Sequence, residues 1–146
     1  GQVMNSIQVK KEFNAPIEQV FNLLSKHATY NVAFAPIQVE RTQDSTDSQY
    51  PDGLGSIRRL GFGPIKPLQE QITLFQPNQR IEYKIIKNPL IKHHLGIIEF
   101  EALSAQKTLV TYSIELQARA PFVSKLILTQ LKSAIKLGFS KLAKTV

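Results

Sequence analysis

Glu70 stands between Leu68 and Ile72, with Leu74 two residues further on. In an extended segment these positions share one face, so an inward apolar face carries the carboxylate inward with it. The same count places Tyr83 with Ile81 and Ile85, His94 with Gly96, Ile98 and Phe100, and Tyr112 with Val110, Ile114 and Leu116. A carboxylate taken out of water needs a cation, and Arg58 or Arg59 on the preceding segment supplies one. Gln130 falls within the apolar arc of a C-terminal helix. Arg58, Arg59, Glu70, Tyr83, His94, Tyr112 and Gln130 are therefore the candidate polar lining of an interior cavity. Two chemistries fit them. One is orientation of the few polar groups of a bound apolar molecule; the other is acid–base work, for which His94 has an ordinary pKa near neutrality.

Other chemistries lack their residues. The 146-residue chain has no cysteine, which removes disulfides, thiol catalysis and Cys-ligated metal. His93 and His94 are neighbours on one strand and point to opposite faces, and no third ligand is spaced with them or with His27, so no metal site is expected. No Ser-His-Asp set can be assembled by spacing, and no Gly-rich phosphate loop precedes a helix, so no cofactor is expected. No apolar run is long enough to span a membrane, and no apolar signal-peptide core is present, so the expected location is the cytoplasm.

The net charge is +7, and its distribution matters more than its sum. From Ala118 onward there is no acidic residue, while Lys125, Lys132 and Lys136 form one stripe of the last helix. That stripe reads as a solvated face, with peripheral contact to an anionic membrane as its functional alternative. Nucleic acid is not expected, because no recognition motif or basic segment interleaved with exposed aromatics is present.

The elements that must hold these residues follow from pattern. A first strand alternates Ile7, Val9 and Lys11 with polar residues and runs to about Phe13. Pro16, Glu18 and the stripe Ile17, Val20, Phe21, Leu24 predict a short helix. Residues 25–36 read as a second short helix or packed turn, and 37–42 as a strand. Five further strands are predicted at 55–62, 68–75, 80–87, 93–102 and 108–117, with short connections that imply antiparallel neighbours. Pro121 opens a long helix whose apolar arc, wide enough to take in Leu126, Leu128, Ile135, Leu137 and Phe139, is expected to be largely covered by the sheet. No repeat or linker divides residues 1–146, which read as one domain.

Several segments carry a family resemblance: Ala15-Pro16-Ile17-Glu18-Gln19-Val20-Phe21, Gly53-Leu54-Gly55-Ser56-Ile57-Arg58, Leu68-Gln69-Glu70-Gln71-Ile72-Thr73, Arg80-Ile81-Glu82-Tyr83, His94-Leu95-Gly96-Ile97-Ile98-Glu99-Phe100 and Thr108-Leu109-Val110-Thr111-Tyr112. In this order, and followed by the long helix, they make the chain resemble the START-like (SRPBCC) superfamily, most closely its polyketide cyclase/dehydrase branch. The resemblance implies an α+β helix-grip fold. A seven-stranded curved antiparallel sheet would wrap around the C-terminal helix, with two short helices after the first strand. It further implies an apolar cavity that binds or carries a lipid, isoprenoid quinone or polyketide-like compound, or else a cofactor-free cyclase or dehydratase.

Overall fold

The computed structural model describes residues 5–146. The chain runs β1 (Asn5–Phe13), α1 (Ile17–Ser25), α2 (Thr29–Ala33), β2 (Gln38–Gln43), β3 (Ile57–Phe62), β4 (Ile65–Gln76), β5 (Arg80–Ile86), β6 (Ile91–Ser104), β7 (Lys107–Ala118) and α3 (Pro121–Ala143). All strand pairs are antiparallel, in one sheet of order β1-β7-β6-β5-β4-β3-β2. Both short helices fall between β1 and β2. This is the α+β helix-grip architecture.

Alternation sets the sheet's inner face. Along β7, Thr108, Val110, Tyr112, Ile114, Leu116 and Ala118 are all buried, and each intervening residue is only half-buried. Strands β4 and β6 run longer than their patterns predict, because register shifts between Leu60 and Phe62 opposite the start of β4, and between Ile91 and His93 and between Ala102 and Ser104 in β6, carry the pairing on without ending it.

Polar anchors fix the helices. The Thr108 hydroxyl donates to the Ala15 carbonyl at 2.9 Å, which holds the turn into α1. Tyr30 donates to the Leu24 carbonyl at 2.6 Å and so folds α2 back on α1. At the far end of the sheet, the Ala118 amide donates to Ser124 Oγ at 2.8 Å, tying the end of β7 to the first turn of α3. Pro121 occupies that turn, where a missing N–H costs nothing.

α3 packs on β1, β7 and α2. Its buried stripe is Ser124, Leu128, Ile135, Gly138, Phe139 and Leu142. Gly138 permits the approach of α2: a Cβ there would lie 2.8 Å from the Phe34 ring and 3.0 Å from the Ala33 carbonyl oxygen. The expectation that the sheet largely covers this wide apolar arc fails at two of its residues. Leu126 and Leu137 are 60% and 72% exposed. The reason is geometric, since a helix lying on one surface buries only the stripe that faces it.

Phe139 is fully buried and meets Phe13 and Tyr112 at ring-centroid distances of 5.8 and 5.7 Å. Phe139→Ala should therefore lower unfolding free energy by about 3–5 kcal/mol. A denaturant titration showing less than about 1 kcal/mol would mean that the helix is not clamped by the sheet in this way.

Candidate functional site

The register of β3 and β4 sets Arg58 directly opposite Glu70. Their side chains meet at 2.9 Å, Arg58 Nε donating to Glu70 Oε1, and they are only 6% and 7% exposed. Burial is the largest single influence and opposes the guanidinium's charge, but the Glu70 carboxylate and the surrounding tyrosines together outweigh it and raise the arginine's pKa. The guanidinium also lies over two aromatic rings, 4.7 Å from the centroid of Tyr83 and 5.3 Å from that of Tyr30.

Tyr83 extends the cluster across the sheet. Its hydroxyl hydrogen-bonds the Tyr112 hydroxyl, and its ring rests against Gly96 on the neighbouring strand. No side chain fits under it, since a Cβ on Gly96 would sit 2.2 Å from the ring. Burial raises the pKa of Tyr83 and Tyr112 and pushes that of Tyr30 up to about 12, so all three phenols stay protonated near neutrality.

His94 packs beside Tyr83, with ring centroids 5.4 Å apart. Its Nδ1 accepts the Ile85 amide proton at 2.9 Å, which leaves the ring proton of the neutral imidazole on Nε2. Burial, with smaller contributions from His93 and Arg58, lowers its pKa to about 4.

The structure thus brings Arg58, Glu70, Tyr83, His94 and Tyr112 together on the concave face. Two other expected residues are elsewhere. Arg59 points to the opposite face and pairs with Glu40 at 3.0 Å, as the one-residue phase difference from Arg58 requires. Gln130 is exposed on the side of α3 turned from the sheet, and so does not line the interior.

Sequence reasoning missed Tyr30, His27 and Asp52. Tyr30 closes the cluster from α2, a five-residue helix too short to show a period. His27 is 3% exposed, and neither ring nitrogen has a hydrogen-bond partner among the described residues. Its Nδ1 is 3.6 Å from Asp52 Oδ1, while its backbone amide donates to Asp52 Oδ2 at 2.8 Å. Burial, reinforced by Arg58, lowers its pKa to about 4. The only advance signal was the turn Pro51-Asp52-Gly53, which brings that carboxylate back onto the helical segment.

Side chains fill the space where an open cavity was expected. Two surface concavities, of about 500 and 310 Å³, lie away from the cluster: one is lined by residues such as Asn31, Pro36 and Lys66, the other by Gln8, Gln79 and Thr111. Among the described residues no group of three or more His, Asp or Glu could hold a metal ion.

The model of a family described as polyketide cyclase/dehydrase and lipid transport matches residues 4–146. A search of curated proteins finds no match. Solved structures with similar folds include a protein from Thermobifida fusca at 17% identity, covering 94% of this chain and 90% of that one with a TM-score of 0.75. An aromatase/cyclase from Streptomyces is 17% identical, covering 97% and 90% with a TM-score of 0.69. Norcoclaurine synthase from Thalictrum flavum, solved with dopamine and hydroxybenzaldehyde, is 19% identical, covering 98% and 88% with a TM-score of 0.70.

Both buried histidines make stability depend on pH. Each stays neutral in the folded protein down to about pH 4, but takes up a proton near 6.5 when unfolded. Their contribution is whole above pH 6.5 and is lost as pH falls towards 4, by roughly 3 kcal/mol for each at the limit. Urea titrations from pH 7.5 to 4.5 should show that loss, and His27→Gln with His94→Gln should flatten it. A slope unchanged by the double substitution would contradict the burial argument.

Proposed function

The chain belongs to the polyketide cyclase/dehydrase and lipid transport family, and within it we propose that the concave interior binds or carries one small hydrophobic molecule. A lipid, an isoprenoid quinone or a polyketide-like compound has the required form: an apolar body with an oxygen at one end. The observation that carries this reading is a buried guanidinium that gives Nε to Glu70 and lies between tyrosines in an otherwise apolar core. The other guanidinium N–H groups and the Tyr83–Tyr112 pair would orient the oxygen. Apolar burial, at about 25 cal/mol per Å², would supply most of the affinity.

Since the cluster is closed by side chains, a ligand enters by displacing them. Tyr30 is the movable wall, because it stands on the short α2 rather than on the sheet. Neither step uses a cofactor. A chain without cysteines also fits a reducing location such as the cytoplasm. An anionic membrane is met through exposed Lys125 and Lys136 and half-buried Lys132, and no nucleic-acid partner is part of this reading.

Native mass spectrometry of freshly purified protein, followed by organic extraction, should recover a molecule more apolar than the buffer components. Tyr83→Phe should weaken its binding by about 0.5–1.5 kcal/mol, the net contribution of one hydrogen bond. Protein that is empty, and that fails to bind fatty acids, quinones or a fluorescent apolar probe, would refute the carrier reading.

His27 favours a second reading, that of a cofactor-free cyclase or dehydratase. It is a buried, neutral imidazole with unoccupied nitrogens and a carboxylate beside Nδ1, the arrangement of a general base. If so, His27→Gln should abolish turnover of a polyketide-like substrate while leaving the melting temperature nearly unchanged.

A further inference from the structure

Strand register gathers three turns at one end of the sheet. Gln69 pairs with Ile86 and Ile91 with Ala118, so the β3–β4 turn, the β5–β6 turn and the start of α3 all lie beyond the same edge. The Arg119 amide donates to the Leu90 carbonyl at 3.0 Å, which locks the last two of these together.

Each turn holds a large apolar side chain out in solvent. Phe62 and Ile65 are 62% and 73% exposed, Leu90 is 67%, and Phe122 and Leu126 on the first turns of α3 are 76% and 60%. Single exposed apolar residues are ordinary, but these concentrate at the tips of one end. Gly63, at a φ of +55°, makes the tight turn that sets Phe62 and Ile65 side by side.

Charge is divided along the same axis. The turn segments at this end, 60–68, 86–92 and 117–126, contain no Asp or Glu, and the nearest carboxylates, Glu40 and Glu115, already meet Arg59 and His93. These segments carry Lys66, Lys87, Lys92, Arg119 and Lys125 around the apolar tips. Acidic residues collect at the opposite end: Glu12 and Glu101 both pair with Leu109 there. Asp44, Asp47 and Asp52 belong to the loop whose Tyr50 packs on Phe75, next to the start of β5.

We propose that this end docks on an anionic lipid bilayer, with Phe62, Ile65, Leu90 and Phe122 inserted among the acyl chains and the surrounding lysines on the lipid phosphates. Apolar tips ringed by cations and free of acid match a surface that is apolar within and negative at its rim. The proposal deepens the membrane contact of the reading above and moves it from the stripe Lys125, Lys132, Lys136 to the end of the sheet. It does not depend on a ligand in the interior. It does supply a route for one, because Glu70 and His94 lie in the half of their strands nearest this end, with Arg58 opposite Glu70.

The test is vesicle co-sedimentation of the full chain with phosphatidylglycerol/phosphatidylcholine vesicles and with phosphatidylcholine alone. Binding should be at least tenfold tighter to the anionic vesicles and should weaken in high salt. Phe62→Ser with Ile65→Ser, and separately Phe122→Ser, should each reduce it about tenfold or more, whereas Lys132→Gln with Lys136→Gln should change it less than twofold. The chain has no tryptophan, so Phe62→Trp adds a sole reporter whose emission should shift to the blue on anionic vesicles. Absence of binding by folded protein would overturn the proposal. So would loss of binding in the Lys132/Lys136 variant with retention in the tip variants, or a tip substitution that converts a stable dimer to monomer, which would assign this end to a second copy of the chain.

Discussion

The Arg58–Glu70 pair is the constraint on which the interior depends. Two charges with 6% and 7% exposure lose most of their hydration, and a buried ion pair seldom stabilises a fold more than apolar residues of the same volume would. Once present, it dictates its surroundings. The carboxylate must lie opposite the guanidinium, which fixes the register of β3 against β4, and the cation must be walled by ring faces rather than by aliphatic groups. Tyr83 and Tyr30 provide those faces. Tyr83 in turn requires Gly96 beneath it and a partner for its hydroxyl, which Tyr112 supplies. A chain of mutual requirements therefore links β3, β4, β5, β6, β7 and α2. Such a chain favours a role for the polar cluster over an accident of packing, because an apolar core would fill the same space with fewer conditions.

The position of α3 divides the concave face into two regions. Over β1 and β7 the helix itself is the lid, and Phe139 joins it to Phe13 and Tyr112. Over β3 to β5 the cover is different. There α2 and the long side chains of the sheet do the covering, and one small residue, Gly138, lets α2 reach far enough across α3 to place Tyr30 over Arg58. The first region is held by apolar contact along a 23-residue helix, and the second by a five-residue helix and a few hydrogen bonds. Opening is thus expected in the second, where the polar cluster lies.

Period two made the strands legible, and with them the inward phase of Glu70, Tyr83, His94 and Tyr112. It could not choose between Arg58 and Arg59. Adjacent residues differ only in phase, and the phase of β3 is set by its pairing with Glu70 on one side and by the Arg59–Glu40 pair on the other. The terminal helix was legible in its start and extent but not in its orientation. Apolar residues occur around much of its circumference, so Gln130 could be placed in the arc when the packed stripe in fact runs through Ser124, Leu128, Ile135, Phe139 and Leu142. Tyr30 and His27 were illegible for another reason: short helices and turns show no period, and their partners Arg58 on β3 and Asp52 in a loop are distant in sequence.

Protonation narrows what the cluster can do. The three tyrosines are held as phenols by burial, and Arg58 keeps its proton. The Nδ1 of His94 is occupied by a backbone amide, and its Nε2 carries the remaining proton. Near neutrality Arg58, the Nε2 of His94 and one hydroxyl of the Tyr83–Tyr112 pair therefore present hydrogen-bond donors to a ligand oxygen. The Tyr30 proton is held by the Leu24 carbonyl, and none of these groups is placed to take a proton from carbon. An enzyme built on this interior must find its base outside the cluster, and His27 beside Asp52 is the buried neutral imidazole that could serve. Binding requires only the donors that are already in place, whereas catalysis requires His27 to reach the same bound molecule. That difference in requirement is what ranks the carrier above the cyclase.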